Sequence, residues 1–556
     1  MKKSGLLLVA SLLALVFQAQ GGPDIPGIIN SSARIVSSGS GSYWVVSGGN
    51  FTLNSQSATD LTSMNNLVIA SGASLTIDSQ SYLTVTGAVT NSNNTGTVGL
   101  TINSDAIGTA SLITPSALGT GATAAQRYMT AGTWHLVSSP VVQSVVDFLA
   151  ANSTIATNGS SRGIMDYNPP INDWKAFFTN SSPGTLGSGE GFCERVSPAS
   201  AVTATGLLQA GTIAVPAEAG LWDCIGNPFS SAIGITSSSL AAANFLTTNA
   251  ANFDPDYGAI YVWAVGDDTY NGQWGHYTVE SNVPTTGFDD LPQGQAFMAK
   301  HKISGGADFS FTNAMQLHNG ALALKSAQTP WPTIKLLAAA NAQTSSTIIA
   351  FNDGMTKGLD PTYDAGLLKG ASELSVYTRL VDDNGIAFAI QALPVSNFSN
   401  MIVPVGVDSK AGGDVVFSAE TINLPGDCKV ILEDKFARTF TDLSTNVYKV
   451  AIMPNSIVAN RFQLHTSTAT ISAMGKDILS GQLNAYAIQH EGIRVVGDVS
   501  AKAVATLYDV LGKAVLMQKL SEGSLNVIPT SSVVSGLYIL SVEDKGITSY
   551  KLRIVN

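Results

Sequence analysis

Gly132-Thr133-Trp134-His135-Leu136-Val137-Ser138-Ser139-Pro140 is answered later in the chain by Gly220-Leu221-Trp222-Asp223-Cys224-Ile225-Gly226-Asn227-Pro228. A second pair follows in the same order: Gly189-Glu190-Gly191-Phe192-Cys193-Glu194 and Gly294-Gln295-Ala296-Phe297-Met298-Ala299. Each half of residues 127–320 therefore opens on a Gly-x-Trp strand that ends at a proline turn, and closes on a Gly-x-x-Phe strand. The repetition predicts two related β-rich units packed together, each tryptophan filling the core of its own unit. Between these strands, Val141 to Leu149 and Ser237 to Phe245 read as short helices. Recurrence in both copies favours packing over ligand binding for the tryptophans, because a position kept for packing returns in each copy.

Upstream, residues 20–126 are nearly free of charge. Asn66-Leu67-Val68-Ile69-Ala70-Ser71-Gly72-Ala73-Ser74-Leu75-Thr76-Ile77-Asp78 is followed by Ser81 to Thr90 and then by Leu100-Thr101-Ile102-Asn103. Short runs with apolar residues at every second position point to half-buried strands. They recur at small polar turns, as the rungs of a β-solenoid do, each burying its inner side chains on the next. A sandwich of short hairpins is the competing reading. Downstream, residues 321–470 hold evenly spaced strand candidates: Thr333–Ala338, Thr347–Phe351, Ala387–Gln391, Ile402–Val407, Asp414–Ser418, Cys428–Glu433, Val447–Ile452 and Arg461–His465. That spacing predicts a β-sandwich.

The end of the chain, residues 475–556, alternates in the same way through Leu507 to Leu516, Gly536 to Val542 and Tyr550 to Asn556. Gly512 and Gly536 stand where chain reversals favour positive φ. The Tyr508-Asp509-x-x-Gly512-Lys513 run, the Gly536-x-Tyr538 strand and the basic final strand with Lys551 resemble the C-terminal (type A) sorting domain of the type IX secretion system of Bacteroidetes. A Pro-Asn-Pro motif usual near that domain's start is absent around Asn484-Ala485-Tyr486. The resemblance implies an Ig-like β-sandwich, outer-membrane type IX machinery as partner, and Asp509, Gly512, Lys513, Gly536, Tyr538 and Lys551 as sorting signal. Gly358-Leu359-Asp360-Pro361-Thr362-Tyr363-Asp364-Ala365, Val403-Pro404-Val405-Gly406, Leu432-Glu433-Asp434 and Arg461-Phe462-Gln463-Leu464-His465 resemble the jelly-roll-like module that precedes such domains. The expected fold class is thus mostly β and multi-domain. Its order is a short β-solenoid-like region, a duplicated β-rich domain, a jelly-roll-like β-sandwich and an Ig-like C-terminal sandwich.

The other end fits export. Lys2 and Lys3 precede an apolar run from Leu6 to Phe17 and then Gln18-Ala19-Gln20-Gly21-Gly22. This is the layout of a secretory signal peptide, residues 1–19, and the apolar run is short for a membrane-spanning helix. A secreted or cell-surface location follows as the expectation. The chain has 556 residues, enough for several domains. Only 12% are charged and 45% are hydrophobic, so core material is ample while charged helix formers are scarce. A net charge of −11 and a pI near 5.0 argue against nucleic acid, which needs a basic footprint. Cys193, Cys224 and Cys428 leave two readings open, one Cys193–Cys224 disulfide or buried free thiols.

Chemistry is thin. There is no Gly-x-Ser-x-Gly elbow, His-Glu-x-x-His helix, Cys-x-x-Cys or P-loop. His135, His276, His301, His318, His465 and His490 are scattered. Oxygen-rich loops at Asp254-Pro255-Asp256, Asp267-Asp268 and Asp360-Pro361-Thr362-Tyr363-Asp364 are the calcium candidates, since calcium takes hard oxygens from carboxylates and carbonyls; turn-making is the plainer role for all three. No other cofactor is expected. Tyr270, Gln273 and Trp274 are the candidate glycan contacts, because flat rings stack on sugar faces while amides bond hydroxyls. Tyr261 and Trp263 alternate on one strand and read as core. The expected function is a non-catalytic structural, adhesive or interaction protein of the cell surface. The alternative is a polysaccharide-binding or polysaccharide-degrading protein with its site in 127–320. Surface polysaccharide or extracellular glycan would be the partner.

Overall fold

The computed structural model describes residues 43–46, 49–54, 62–263, 277–284, 288–318, 331–341, 343–368, 373–382, 385–425, 428–467, 484–488, 492–544 and 547–554. The expected signal peptide lies outside them. The fold is mostly β and multi-domain. The chain divides into two compact units, Met1–Phe398 with Ile402–Gly426 and Val447–Gln463, and Ser399–Met401 with Asp427–Asn446 and Leu464–Asn556.

The first unit begins as a β-helix with three faces. One face stacks Tyr43–Val46, Asn66–Ile69, Ala88–Asn91 and Ser116–Gly119 in parallel. The second stacks Asn50–Leu53, Ser74–Ile77, Leu100–Ile102 and Thr123–Met129, and the third stacks Thr62–Met64, Tyr82–Val85 and Ser111–Ile113. Every second residue points inward: Leu67, Ile69, Leu75, Ile77, Leu83, Val85, Leu100, Ile102 and Leu112 are all buried in one cluster. The inner stack explains why the rungs need no charge. The helix ends when Thr123–Met129 takes an antiparallel partner, Ser200–Gly206, from the duplicated region.

The duplication is complete in topology. The first copy orders its sheet as Trp134–Val137, Phe192–Arg195, Ile164–Asn168, Asp173–Trp174. The second orders Trp222–Gly226, Ala296–Lys300, Ile260–Trp263, Tyr277–Glu280. Trp134 lies opposite Arg195, and Trp222 opposite Lys300. Each copy also ends a helix with an asparagine that clamps a neighbouring strand. Asn152 Nδ2 donates to the carbonyls of Phe148 and Thr203 (2.8 Å each) and Oδ1 accepts from Thr203 N (2.9 Å). Asn249 makes the same three bonds to Phe245 (3.0 Å) and Ser310 (2.9 and 2.8 Å). The copies bond to each other reciprocally, Ser138 N to Gly294 O (3.0 Å) and Gly226 N to Gly189 O (2.9 Å), as a local two-fold relation requires. Gly189 and Gly294 both hold positive φ, +81° and +68°, so no β-branched or bulky residue would suit either corner.

Two expectations are corrected here. Trp134 and Trp222 do not fill separate cores. Both pack against one shared cluster that joins Leu136, Met165 and Cys193 of the first copy to Cys224, Tyr261 and Met298 of the second. The strands alternate: Val137 and Phe192 face the first copy's own core, Ile225 and Phe297 the second's, so the intervening residues meet across the pseudo-two-fold. The helices are also displaced: the first is shorter and starts later, Val145–Ala151, and the second, Phe245–Thr248, begins where the expected Ser237–Phe245 stretch ends. Gln143–Ser144 pairs instead with Thr185–Leu186, and Ser144 becomes the N-cap of its helix.

The third region of this unit follows one hydrogen-bonded path: Ile402–Ser409, Leu374–Thr378, Phe388–Leu393, Gln343–Phe351, Thr333–Ala340, Gly413–Ile422, Tyr448–Ile452. Its interior is Ile334, Leu336, Phe351, Val376, Phe388, Val405 and Phe417, all fully buried. The second compact unit carries the hairpin Lys429–Asp434 with Thr439–Asp442 and two sheets near the chain end. One sheet orders Asn484–Ile488, Gly492–Val499, Gly523–Ile528, and the other Ala514–Lys519, Val504–Asp509, Gly536–Glu543, Ile547–Ile554. They enclose Ile493, Val495, Ala505, Leu507, Leu540 and Val542.

Candidate functional site

Aromatic side chains gather at the open edge of the shared cluster. In the first copy Trp134 and Phe177 stack with centroids 5.9 Å apart and planes 25° from parallel. Phe177 is 45% exposed and Trp134 half-buried, so together they present a shelf and not a core pair. The Arg195 guanidinium stands 6.0 Å from the Trp134 ring centroid, within cation–π range. Beside it, Tyr167 and Trp174 meet edge to face at 5.4 Å across their strand pair. The hairpin carrying them is fixed by Pro169 at the start of a 3₁₀ turn and by Asn172 in the left-handed region, φ +53°. Tyr167 Oη donates to Asn172 Oδ1 (2.7 Å), and Lys175 Nζ pairs with Asp166 (2.6 Å). Burial raises the Tyr167 phenol well above its ordinary range, with Cys224 and Asp223 adding to it, so it stays a neutral donor.

The second copy closes the equivalent place. Trp222 meets Tyr257 and Tyr261 edge to face at 5.3 and 5.0 Å. Lys300 lies 4.2 Å over the Tyr257 ring and pairs with Asp254 at 3.0 Å. Asp254 also caps the 3₁₀ turn Pro255–Tyr257 through Asp256 N. The position of Asp254 is matched in the first copy by Ala156: Asp254 N donates to Lys300 O (3.0 Å) as Ala156 N donates to Arg195 O (2.9 Å). A carboxylate therefore neutralises the cation in one copy, and a methyl group stands there in the other.

The residues singled out from sequence are placed unevenly. Asp254 serves Lys300 and its turn, so it is not left open for calcium. Burial, then Asp254, raises the carboxyl of Asp256, which disfavours the ionised form that calcium needs. Among the described residues no group of three or more His, Cys, Asp or Glu could hold a metal ion. Asp267, Asp268, Tyr270, Gln273 and Trp274 lie outside the described residues. Tyr261 and Trp263 are buried, as core residues. Cys193 and Cys224 are free, buried thiols; burial raises both, so neither is a ready nucleophile. His135 bonds the Thr130 carbonyl through Nε2 (3.0 Å), and His465 bonds Glu433 (2.8 Å).

In the C-terminal unit, Asp509 Oδ1 accepts from Leu511 N and Lys513 N, both at 2.9 Å, and Gly512 turns at φ +82°. Tyr538 is buried and its hydroxyl donates to Val534 O (2.7 Å). Gly536 is corrected: it opens a strand opposite Ile554 and makes no reversal, since the turn falls just upstream. Lys551 pairs through its backbone with Ile539.

Residues 45–465 match the family described as Domain of unknown function (DUF8693). The chain belongs to this family. No curated protein matches it. Among solved structures it is similar to a polysaccharide lyase, 8% identical, covering 41% of this chain and 40% of that one, with a TM-score of 0.15. It is also similar to the BSP domain of a biofilm-associated protein, 9% identical, covering 78% of this chain and 92% of that one, with a TM-score of 0.13.

One further feature of this DUF8693 chain was not legible in its motifs. Half-buried Arg127 and buried Glu194 line a cavity of about 40 Å³ together with Ser138, Ser139, Phe148, Phe192 and Gln293. That volume admits a water molecule or two. Arg127 Nη1 donates to Gln293 O and Nη2 to Gln295 Oε1, both at 2.6 Å, while its Nε has no partner. Burial pushes the Glu194 carboxyl up to about 8 against the pull of Arg127. The signal was present in the echo itself: Glu194 stands where the second copy has Ala299.

Proposed function

We propose that this chain is an exported surface protein whose body is a non-catalytic interaction module for carbohydrate. The observation that carries the reading is the half-exposed aromatic shelf of Trp134, Phe177, Tyr167 and Trp174 on a stiff, duplicated β-scaffold. Tyr167 and Trp174 are held by cross-strand pairing and Phe177 by backbone hydrogen bonds of its neighbours Lys175 and Phe178, so the rings offer apolar faces at little entropy cost on binding, and pyranose C–H faces stack on such surfaces. Packing and turn-making account for the described cysteines and for Asp254. Export rests on the leader-like first nineteen residues and on the resemblance of residues 475–556 to a sorting domain. The compact two-sheet fold near the chain end supports that resemblance, with Asp509 and Gly512 shaping a turn that presents Val510 and Leu511 to solvent.

Two measurements test the proposal. Glycan-array binding of the full chain, with and without the Phe177→Ala and Trp134→Ala changes, tests the ligand class; signal lost in both variants supports it, and no signal on any glycan removes it. Deleting residues 475–556 in the native host tests export; surface protease sensitivity unchanged by the deletion ends the sorting-domain assignment.

A further inference from the structure

Carbohydrate binding at the shelf leaves the charge of the ligand open, and the comparison of the two copies addresses it. Lys300 is neutralised by Asp254 at 3.0 Å. Arg195, its counterpart, faces Ala156 at the matching place, and among the described residues it makes no ion pair. On the shelf hairpin, Asp166 Oδ2 pairs with Lys175 at 2.6 Å. Arg195 is only partly buried, and its guanidinium leans on Trp134, which is itself stacked with exposed Phe177.

We infer that Trp134, Phe177 and Arg195 form a subsite for an acidic polysaccharide. The exposed Phe177 ring, with Trp134 stacked behind it, takes the C–H face of one sugar unit, and Arg195 pairs with the carboxylate or sulfate of the same or the next unit. This rests on the carbohydrate reading above and adds the ligand's charge. A planar guanidinium suits such a group, because it offers two parallel donors to two oxygens. Acidic polymer is favoured over acidic peptide because the exposed Phe177 ring, backed by the Trp134 ring stacked behind it, is a flat apolar platform near a cation, which suits the C–H face of a charged sugar ring.

The second copy supplies the control. Ala156→Asp gives the first copy the carboxylate that the second already has. The test is affinity electrophoresis of the full chain in gels containing polygalacturonate, alginate or chondroitin sulfate, with neutral galactan and polyglutamate as comparators. Retardation by at least one acidic polysaccharide is expected. Ala156→Asp and Arg195→Gln should each weaken it about tenfold, as loss of one charge-assisted pair implies, with an unchanged circular-dichroism melt. Asp254→Ala should leave it intact. Equal retardation by galactan and the acidic polymers would overturn the charge assignment while leaving carbohydrate binding in place. Retardation by polyglutamate matching that of the best polysaccharide would overturn the ligand class. Retardation by acidic polymers that neither Ala156→Asp nor Arg195→Gln reduces would remove the subsite. No retardation by any polysaccharide would fail both readings together.

Discussion

The two copies of the duplicated region keep the same backbone and spend their side chains differently. Strand order, the asparagine clamps and the positive-φ corner glycines recur in both. The cation that ends the Gly-x-x-Phe strand, opposite the tryptophan, makes no ion pair among the described residues in the first copy and pairs with Asp254 in the second. The contrast repeats inside: Arg127 touches the Gly294 corner, where an added methyl group would come within 2.9 Å of its Cδ, while Val215 touches the Gly189 corner at 2.5 Å. With Glu194 matched by Ala299, two ionisable residues lining a cavity in one copy stand where the other has two apolar residues. Hydrogen bonds that satisfy buried backbone groups are expensive to lose, so they persist through divergence. Side chains at an edge or lining a cavity can change sign.

The hardest way to break this comparison is to remove one of these two cavity residues. Glu194→Ala should cost about 3 kcal/mol, because it enlarges the cavity beside Arg127, whose Nε already lacks a partner. The midpoint of urea unfolding measures it. Arg127→Val with Glu194→Ala together gives the first copy the second copy's residues, and should recover most of that loss, since apolar side chains leave no unpaired polar group at the cavity. A double variant no more stable than the single would mean that the two corners are not equivalent.

The clamps sharpen the likeness instead. Asn152→Ala and Asn249→Ala each remove three hydrogen bonds from a buried helix end and should each cost about 2–3 kcal/mol. Equal losses are expected, and a difference above about 1 kcal/mol would show that one copy carries the fold. These clamps show where sequence reading stops. The Gly-x-Trp and Gly-x-x-Phe echoes could be read because strands alternate with period two and repeat the same residues. The eight strand cores foreseen between Thr333 and His465 fall within or overlap observed strands for the same reason. An asparagine after a helix, though, looks like any helix stop, and its partners Thr203 and Ser310 are far along the chain. Nor does periodicity say which face of one copy meets the other, so Trp134 and Trp222 were assigned private cores. Aromatic residues crowd in sequence near Trp274, whereas Trp134, Tyr167 and Phe177 are brought together by the sheet and by the segment that leaves it after Trp174.

The copies also differ in how they meet the β-helix. The first continues one of its faces through Thr123–Met129 and Ser200–Gly206. Among the described residues, the second makes one backbone bond, Leu112 N to Ser230 O (2.8 Å), and otherwise docks through side chains, with His318 bridging Thr84 Oγ1 (2.8 Å) and Ser111 Oγ (2.7 Å) against the Tyr82 ring. Burial lowers the His318 pKa to about 4. The unfolded chain takes up that proton near pH 6.5 and the folded chain does not, so this contribution is complete above about pH 6.5 and is lost as pH falls toward 4. A loss of about 2 kcal/mol between pH 6.5 and 4.5 is expected. His318→Gln should flatten that part of the pH–stability curve, and an unchanged slope would exclude the docking histidine as its source.

The smallest effect belongs to Asp254, and it decides between two roles for that carboxylate. As the partner of Lys300 and the cap of Pro255–Tyr257, it should contribute about 1 kcal/mol, since the pair is partly exposed and the cap serves a single turn. Lys300 keeps the Tyr257 ring when the carboxylate goes, which limits the loss. Asp254→Ala should therefore lower the thermal midpoint slightly, and adding calcium or chelator should move neither protein. A calcium-dependent rise in the wild-type midpoint that vanishes in the variant would return Asp254 to the metal-ligand role suggested by its loop. The second copy's cation would then be balanced only when metal is absent, and its contrast with Arg195 would depend on the medium and not on the fold.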